Sequence, residues 1–127
     1  MQVSTTLAPA FRITKNQLIS LSKNDFKKEF GISCEYISLE QIYNEFSGGN
    51  KDPVAIRDFI QWTQEYWQEP KPYTVLLMGD ADYDYRNITG QSIIKVPTIQ
   101  VGTRYSHSTD DRLVSFNGII PEMATGR

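Results

Sequence analysis

A chain of 127 residues is long enough for one domain with a real core, since a protein of this size hides roughly two-thirds of its unfolded surface on folding. Thirteen Lys and Arg against fifteen Asp and Glu leave a net charge of -2 with no block of five like charges, so nothing points to nucleic acid or an anionic membrane as partner. No apolar stretch nears the roughly 20 residues of a membrane helix, "MQVSTTLAPAF" lacks the basic and apolar regions of a signal peptide, and a single cysteine, Cys34, excludes an internal disulfide or a multi-cysteine zinc site.

Read in chain order, residues 1–16 form a lead-in segment, and one α/β unit is expected over 17–127, with no repeat or linker inside it. "QLISL" (17–21) is a short apolar run suited to a buried strand. Ser22 with Asp25 then matches a capping box for a short helix that Gly31 ends. "SCEYISL" (33–39) predicts a second strand. Ser38 and Gln41 form another capping box, starting a helix over "LEQIYNEF" that Gly48 and Gly49 stop. The clearest helix follows: Asp52 is a good N-cap, Pro53 suits the first helical position, and Ile56, Phe59, Ile60, Thr63 and Trp67 recur at helical spacing through Gln68. Its outward face carries Arg57, Asp58, Gln61, Gln64 and Glu65.

Beyond Pro70 and Pro72 lies "YTVLLMG", uncharged and rich in strand formers. A strand apolar on both faces marks a covered sheet, and strands alternating with helices require parallel crossovers, so the expected fold is a three-layer α/β/α domain with a mainly parallel sheet. "IIKVPTIQVG" has room for a strand, "RLVSF" predicts a short one, and "EMATG" a last one at the end of the chain, which is expected to be a piece of a longer protein.

Parallel sheets collect ligands at the carboxyl ends of their strands, where Gly79-Asp80 falls. Asp80 alone reads equally well as a turn cap. "DADYD" spaces Asp80, Asp82 and Asp84 like the start of an EF-hand loop, but Tyr85 and Gln91 stand where that loop needs Gly and Glu. "VLLMGDAD" also compares with the DxD strand end of haloacid-dehalogenase-like phosphotransferases, with Asp110 and Asp111 as further magnesium ligands. There Gly79 displaces the strand end and Tyr83 replaces the usual Thr or Val. Cys34 and His107 are the one pair able to form a thiolate and imidazole, yet Cys34 opens a predicted buried strand and His107 sits in a polar loop. Asn87-Ile88-Thr89 fits a glycosylation sequon, a pattern common by chance.

Four stretches in order resemble one family: "QIYNEFSGGNKDPVAIRDFIQW" (41–62), "YTVLLMGDADYDYRN" (73–87), "VPT" with "STDD" (96–98 and 108–111), and "PEMATGR" (121–127). They are similar to the gingipain-like cysteine peptidases, in particular the branch that acts as sortase, or C-terminal signal peptidase, of the type IX (Por) secretion system. "LISLSKNDF" and "GISCEYISLEQI" extend the resemblance upstream. The helix after "LISLS" is several residues shorter than the family's, and "DDRLVSFNG" replaces a "DDYYG"-like loop.

The resemblance implies a caspase-like architecture of two side-by-side subdomains, of which this chain is the first. The catalytic His and Cys motifs of the family belong to the second, so no catalytic residue is expected here, and the partner is that catalytic subdomain, with protein substrates reached through the parent. A homodimer of the fragment is also expected from the face left uncovered. The parent would belong to the cell envelope, the outer membrane or the secreted fraction, while this chain reads as soluble. Gly79 and Gly126 are expected as structural turns. Asp80, Asp110 and Asp111 are expected to organise the loops at the sheet's carboxyl end, either by hydrogen bonds to backbone amides or through a calcium ion; no cofactor is required. Two other readings stand beside this one: a separate binding module using Trp62, Tyr66 and Trp67, and a metal-dependent phosphotransferase using Asp80.

Overall fold

A computed structural model describes residues 10–14, 34–81, 84–91 and 96–127. The predicted strand at 17–21 and the helix after it lie outside the described residues. The first described strand, β1, runs Ala10–Thr14, inside the stretch expected as lead-in. Only Phe11 and Ile13 alternate there, too short a pattern to read locally. What holds the strand is pairing on both sides. β2 (Cys34–Ser38) and β3 (Thr74–Met78) both run parallel to it, with Ala10 level with Cys34 on one side and with Thr74 on the other. β6 (Ala124–Gly126) adds to β3, also parallel, giving the order β2-β1-β3-β6.

Two helices connect β2 to β3. Helix α1 (Leu39–Phe46) starts at the predicted capping box: Ser38 Oγ accepts from the Gln41 amide at 3.2 Å, and the Gln41 side chain accepts from the Ser38 amide at 3.1 Å. It stops where Gly48 and Gly49 turn left-handed (φ +60° and +86°), the Gly49 amide donating back to the Tyr43 carbonyl at 2.8 Å. Helix α2 (Pro53–Tyr66) begins at Asp52, whose carboxylate accepts from the Val54 amide at 2.9 Å, and ends two residues before Gln68, with Trp67 as its cap.

One core joins these elements. Leu39 and Ile42 of α1, and Ile56, Phe59 and Ile60 of α2, pack with Val75 and Leu77 of β3, all essentially inaccessible to water. Burying Phe59 alone contributes about 1.5–3 kcal/mol, and its ring meets those of Phe46 and Trp67 edge-on at 5.8 and 6.3 Å. Along β3 burial alternates: Val75 and Leu77 face the helices, while Thr74, Leu76 and Met78 are half-buried on the opposite face. No helix among the described residues is long and apolar enough to cross a membrane.

Beyond β3 a two-stranded antiparallel hairpin forms from β4 (Ile99–Val101) and β5 (His107–Thr109). The strand expected in "RLVSF" is instead a 3-10 helix, Asp111–Val114. Leu113 and Val114 are both fully buried, and successive residues of a strand cannot point into one core, whereas a tight helical turn brings both inward.

Candidate functional site

The sheet order reverses between β1 and β3, because β2 lies on one side of β1 and β3 on the other. Crevices at such switch points, outside the carboxyl ends of strands, are where open α/β sheets bind ligands. Gly79 leaves β3 there with φ +149°, a region that side chains rarely adopt, and a Cβ on it would meet Val96 Cγ2 at 3.0 Å. The turn is closed by the Val96 amide, which donates to the Asp80 carbonyl at 3.0 Å.

Arg127 organises this end of the molecule. Its Nε donates to Asp110 Oδ2 at 2.9 Å and Nη2 to Asp110 Oδ1 at 2.5 Å, a two-pronged pair, while Nη1 donates to the carbonyls of Gly79 (2.6 Å) and Val96 (2.9 Å). Thr98 Oγ1 donates to Asp110 Oδ1 at 3.0 Å. Burial pushes the Asp110 carboxyl up, but hydrogen bonds and charge from Arg127, with the Thr98 hydroxyl, outweigh it and hold the group below the usual carboxylate range. The two side chains remain only 18% and 24% exposed. Gly79, Thr98, Asp110 and Arg127 come from the four separated segments "GD", "VPT", "STDD" and "GR", and they form one clasp across the carboxyl ends of β3 and β6. The link from Asp110 to Arg127 was not legible in sequence. A hint lay in an Arg directly after a strand-forming "ATG" and an Asp after "ST".

Of the three carboxylates expected together, Asp110 is the one whose side chain joins the Arg127 network among the described residues. Asp110 belongs to the clasp. Asp80 is exposed and contributes its backbone carbonyl, and Asp111 is exposed at the start of the 3-10 helix, where its carbonyl accepts from Ser115 Oγ. Among the described residues no group of three His, Cys, Asp or Glu side chains is placed to hold a metal ion. Among the described residues the side-chain hydrogen bonds that join these segments converge on the guanidinium of Arg127 and the carboxylate of Asp110. Gly126 also differs from the expected turn: it is the last residue of β6, level with Leu76, whose Cδ1 would lie 3.3 Å from an added Cβ. Its lack of a side chain serves close packing.

Cys34 and His107 stand apart. The register puts Cys34 level with Thr74, at the amino ends of the strands, five residues or about 16 Å before Gly79. His107 is exposed on the rung of the hairpin farther from the Thr98–Asp110 bond that roots the hairpin at the carboxyl ends. Of the aromatic trio, Trp67 is buried, Trp62 is half-buried against the core, and Tyr66 is exposed with its ring 5.8 Å from that of Trp62. Asp84 folds the sequon loop, accepting from the amides of Ile88 and Thr89 at 2.7 Å and from Thr89 Oγ1 at 2.6 Å.

A parallel sheet with two helices between β2 and β3, closed at the carboxyl ends of its strands by an arginine clasp, defines an α/β domain. Residues 9–127 match the model of peptidase family C25, and the chain belongs to that family, the gingipain-like cysteine peptidases. Among solved structures it is similar to dimeric latent PorU from Porphyromonas gingivalis, at 22% identity and a TM-score of 0.68 over 97% of this chain. That alignment spans 14% of the PorU chain. No curated protein matches.

Proposed function

We propose that this chain is the N-terminal, non-catalytic subdomain of a gingipain-like cysteine endopeptidase of the type IX secretion sortase kind, and that it supports a catalytic subdomain lying downstream. The observation that carries the reading is the clasp. Three of the four stretches that resemble the family come together to stiffen one end of a sheet, and the described residues bring no thiol and imidazole into reach. A match to only 14% of PorU fits a domain of a larger protein. The partner is then the catalytic subdomain, the protein substrates belong to the parent, and the parent works at the cell envelope or beyond it. PorU, which is dimeric and latent in its crystal structure, also bears on the expectation that this domain self-associates.

A lone thiol without a positioned base is mostly protonated at neutral pH, and it lacks an oxyanion hole. Fluorogenic peptides should therefore stay intact with this chain, and be cut by a protein extended to include a downstream His turn and Cys motif. Cys34→Ala should leave the activity of the extended protein unchanged. Cleavage by the short chain that Cys34→Ala abolishes would overturn the reading, as would a coding sequence that stops without either motif.

A further inference from the structure

We propose that the cleft between the α1–α2 turn and the loop at residues 84–90 is a docking site for an acidic segment of a protein chain. The cleft, of about 580 Å³, is lined by Gly49, Asn50, Lys51, Asp52 and Arg86. It brings two cations from separate segments to one opening. Among the described residues neither forms an ion pair or a hydrogen bond; Arg86 only lies over the Tyr85 ring, 5.5 Å from its centre. The Asp52 carboxylate on the same wall accepts from the Val54 amide of its own helix, so the lining carries two cations against one carboxylate that is already hydrogen-bonded. Past Gly49 and Lys51 the opening continues to Tyr43 and Glu40. Burial, with Asp52 and Tyr85 adding, pushes the Tyr43 phenol far up, so it stays neutral there. Charge thus varies along the groove, positive at the Lys51 and Arg86 end and negative at Glu40, and an acidic group is drawn to the first end and repelled from the second.

The loop beside the cations is built in advance. Three donors converge on the Asp84 carboxylate, the Gly90 amide donates to the Asn87 carbonyl, and Asn87 holds a left-handed φ of +56°. That frame presents Arg86 and an Ile88 that is 83% exposed, with little ordering left to lose on binding. A free oxyanion would satisfy the cations and leave Ile88 in water. A chain segment with carboxylates next to an apolar side chain covers both.

The test is an NMR titration of the ¹⁵N-labelled full chain with three probes: the capped hexapeptide GEELEG, its uncharged twin GQQLQG, and inorganic phosphate. Shifts should gather at residues 49–52 and 84–90 with GEELEG, and GQQLQG should bind about tenfold more weakly. Lys51→Gln and Arg86→Gln should each weaken GEELEG about threefold, with added salt doing the same, while the melting temperature stays put. Ile88→Ser should weaken the peptide and leave any phosphate response alone. The proposal is overturned if the two peptides bind equally, if GEELEG produces no saturable shifts or shifts elsewhere, or if phosphate matches GEELEG at the same residues.

Discussion

Replacing Gly79 with alanine tests the geometry on which the carboxyl end of the sheet depends. At φ +149° an L-residue sits in a sparsely populated region, which costs about 1–3 kcal/mol. The added Cβ would also stand 3.0 Å from Val96 Cγ2 and 3.5 Å from the Val96 nitrogen. Val96 is 1% exposed and cannot swing aside. Shifting it strains the hydrogen bonds from its amide to Asp80 and from Arg127 to its carbonyl, each worth roughly 1 kcal/mol. Together these give a loss of about 2–4 kcal/mol, or a fall in melting temperature on the order of 10 °C for a domain of this size. Urea and thermal unfolding followed by circular dichroism measure it. Val96→Ala separates the two causes, because it relieves the contact and leaves the backbone strain, so the double mutant should recover about 1 kcal/mol relative to additivity. A Gly79→Ala protein within about 0.5 kcal/mol of wild type would refute the argument, since neither strain nor contact could then be present.

Asp110→Asn should cost about 1–3 kcal/mol at pH 7 by leaving Arg127 without its carboxylate. Because the folded Asp110 carboxyl titrates below its ordinary value, its contribution is fully present above about pH 4 and is lost as pH falls through the lowered folded value, so the gap between wild type and variant should close toward pH 2 in urea melts. A gap that stays constant down to pH 2 would show that the charge pair is not its source. Ser38→Ala should remove about 1 kcal/mol and Ser38→Thr much less, as measured by chemical unfolding, because only the hydroxyl at the start of α1 is at stake. Among the described residues β6 pairs on one side only, so sedimentation should detect self-association. One monomeric species up to about 100 μM, a hundredfold above a micromolar affinity, would remove that expectation.

What the sequence determined by itself is whatever depends on residues within a few positions of each other. Ser38 and Gln41 box the start of α1, Asp52 and Pro53 launch α2, Gly48 and Gly49 end α1, and "TVLLM" has little choice but a buried strand. In each case the partner group is local, so its chemistry can be read in one pass. The resemblance to the peptidase family was legible too, since the motifs keep their order along the chain. Only the tertiary structure decided that Ala10–Thr14 is an inner strand, that Asp111–Val114 is a 3-10 helix, and that Arg127 closes on Asp110, Gly79 and Val96. Four- and five-residue segments carry too little pattern to favour one conformation alone. Their state follows from ladders and burial supplied by residues far away in the chain. That Asp110, of the three acids, is the one to meet Arg127 has the same origin. Sequence shows which groups carry charge, but whether carboxylates share an ion or meet an arginine depends on where the sheet brings its ends, and here β6 delivers a guanidinium to Asp110.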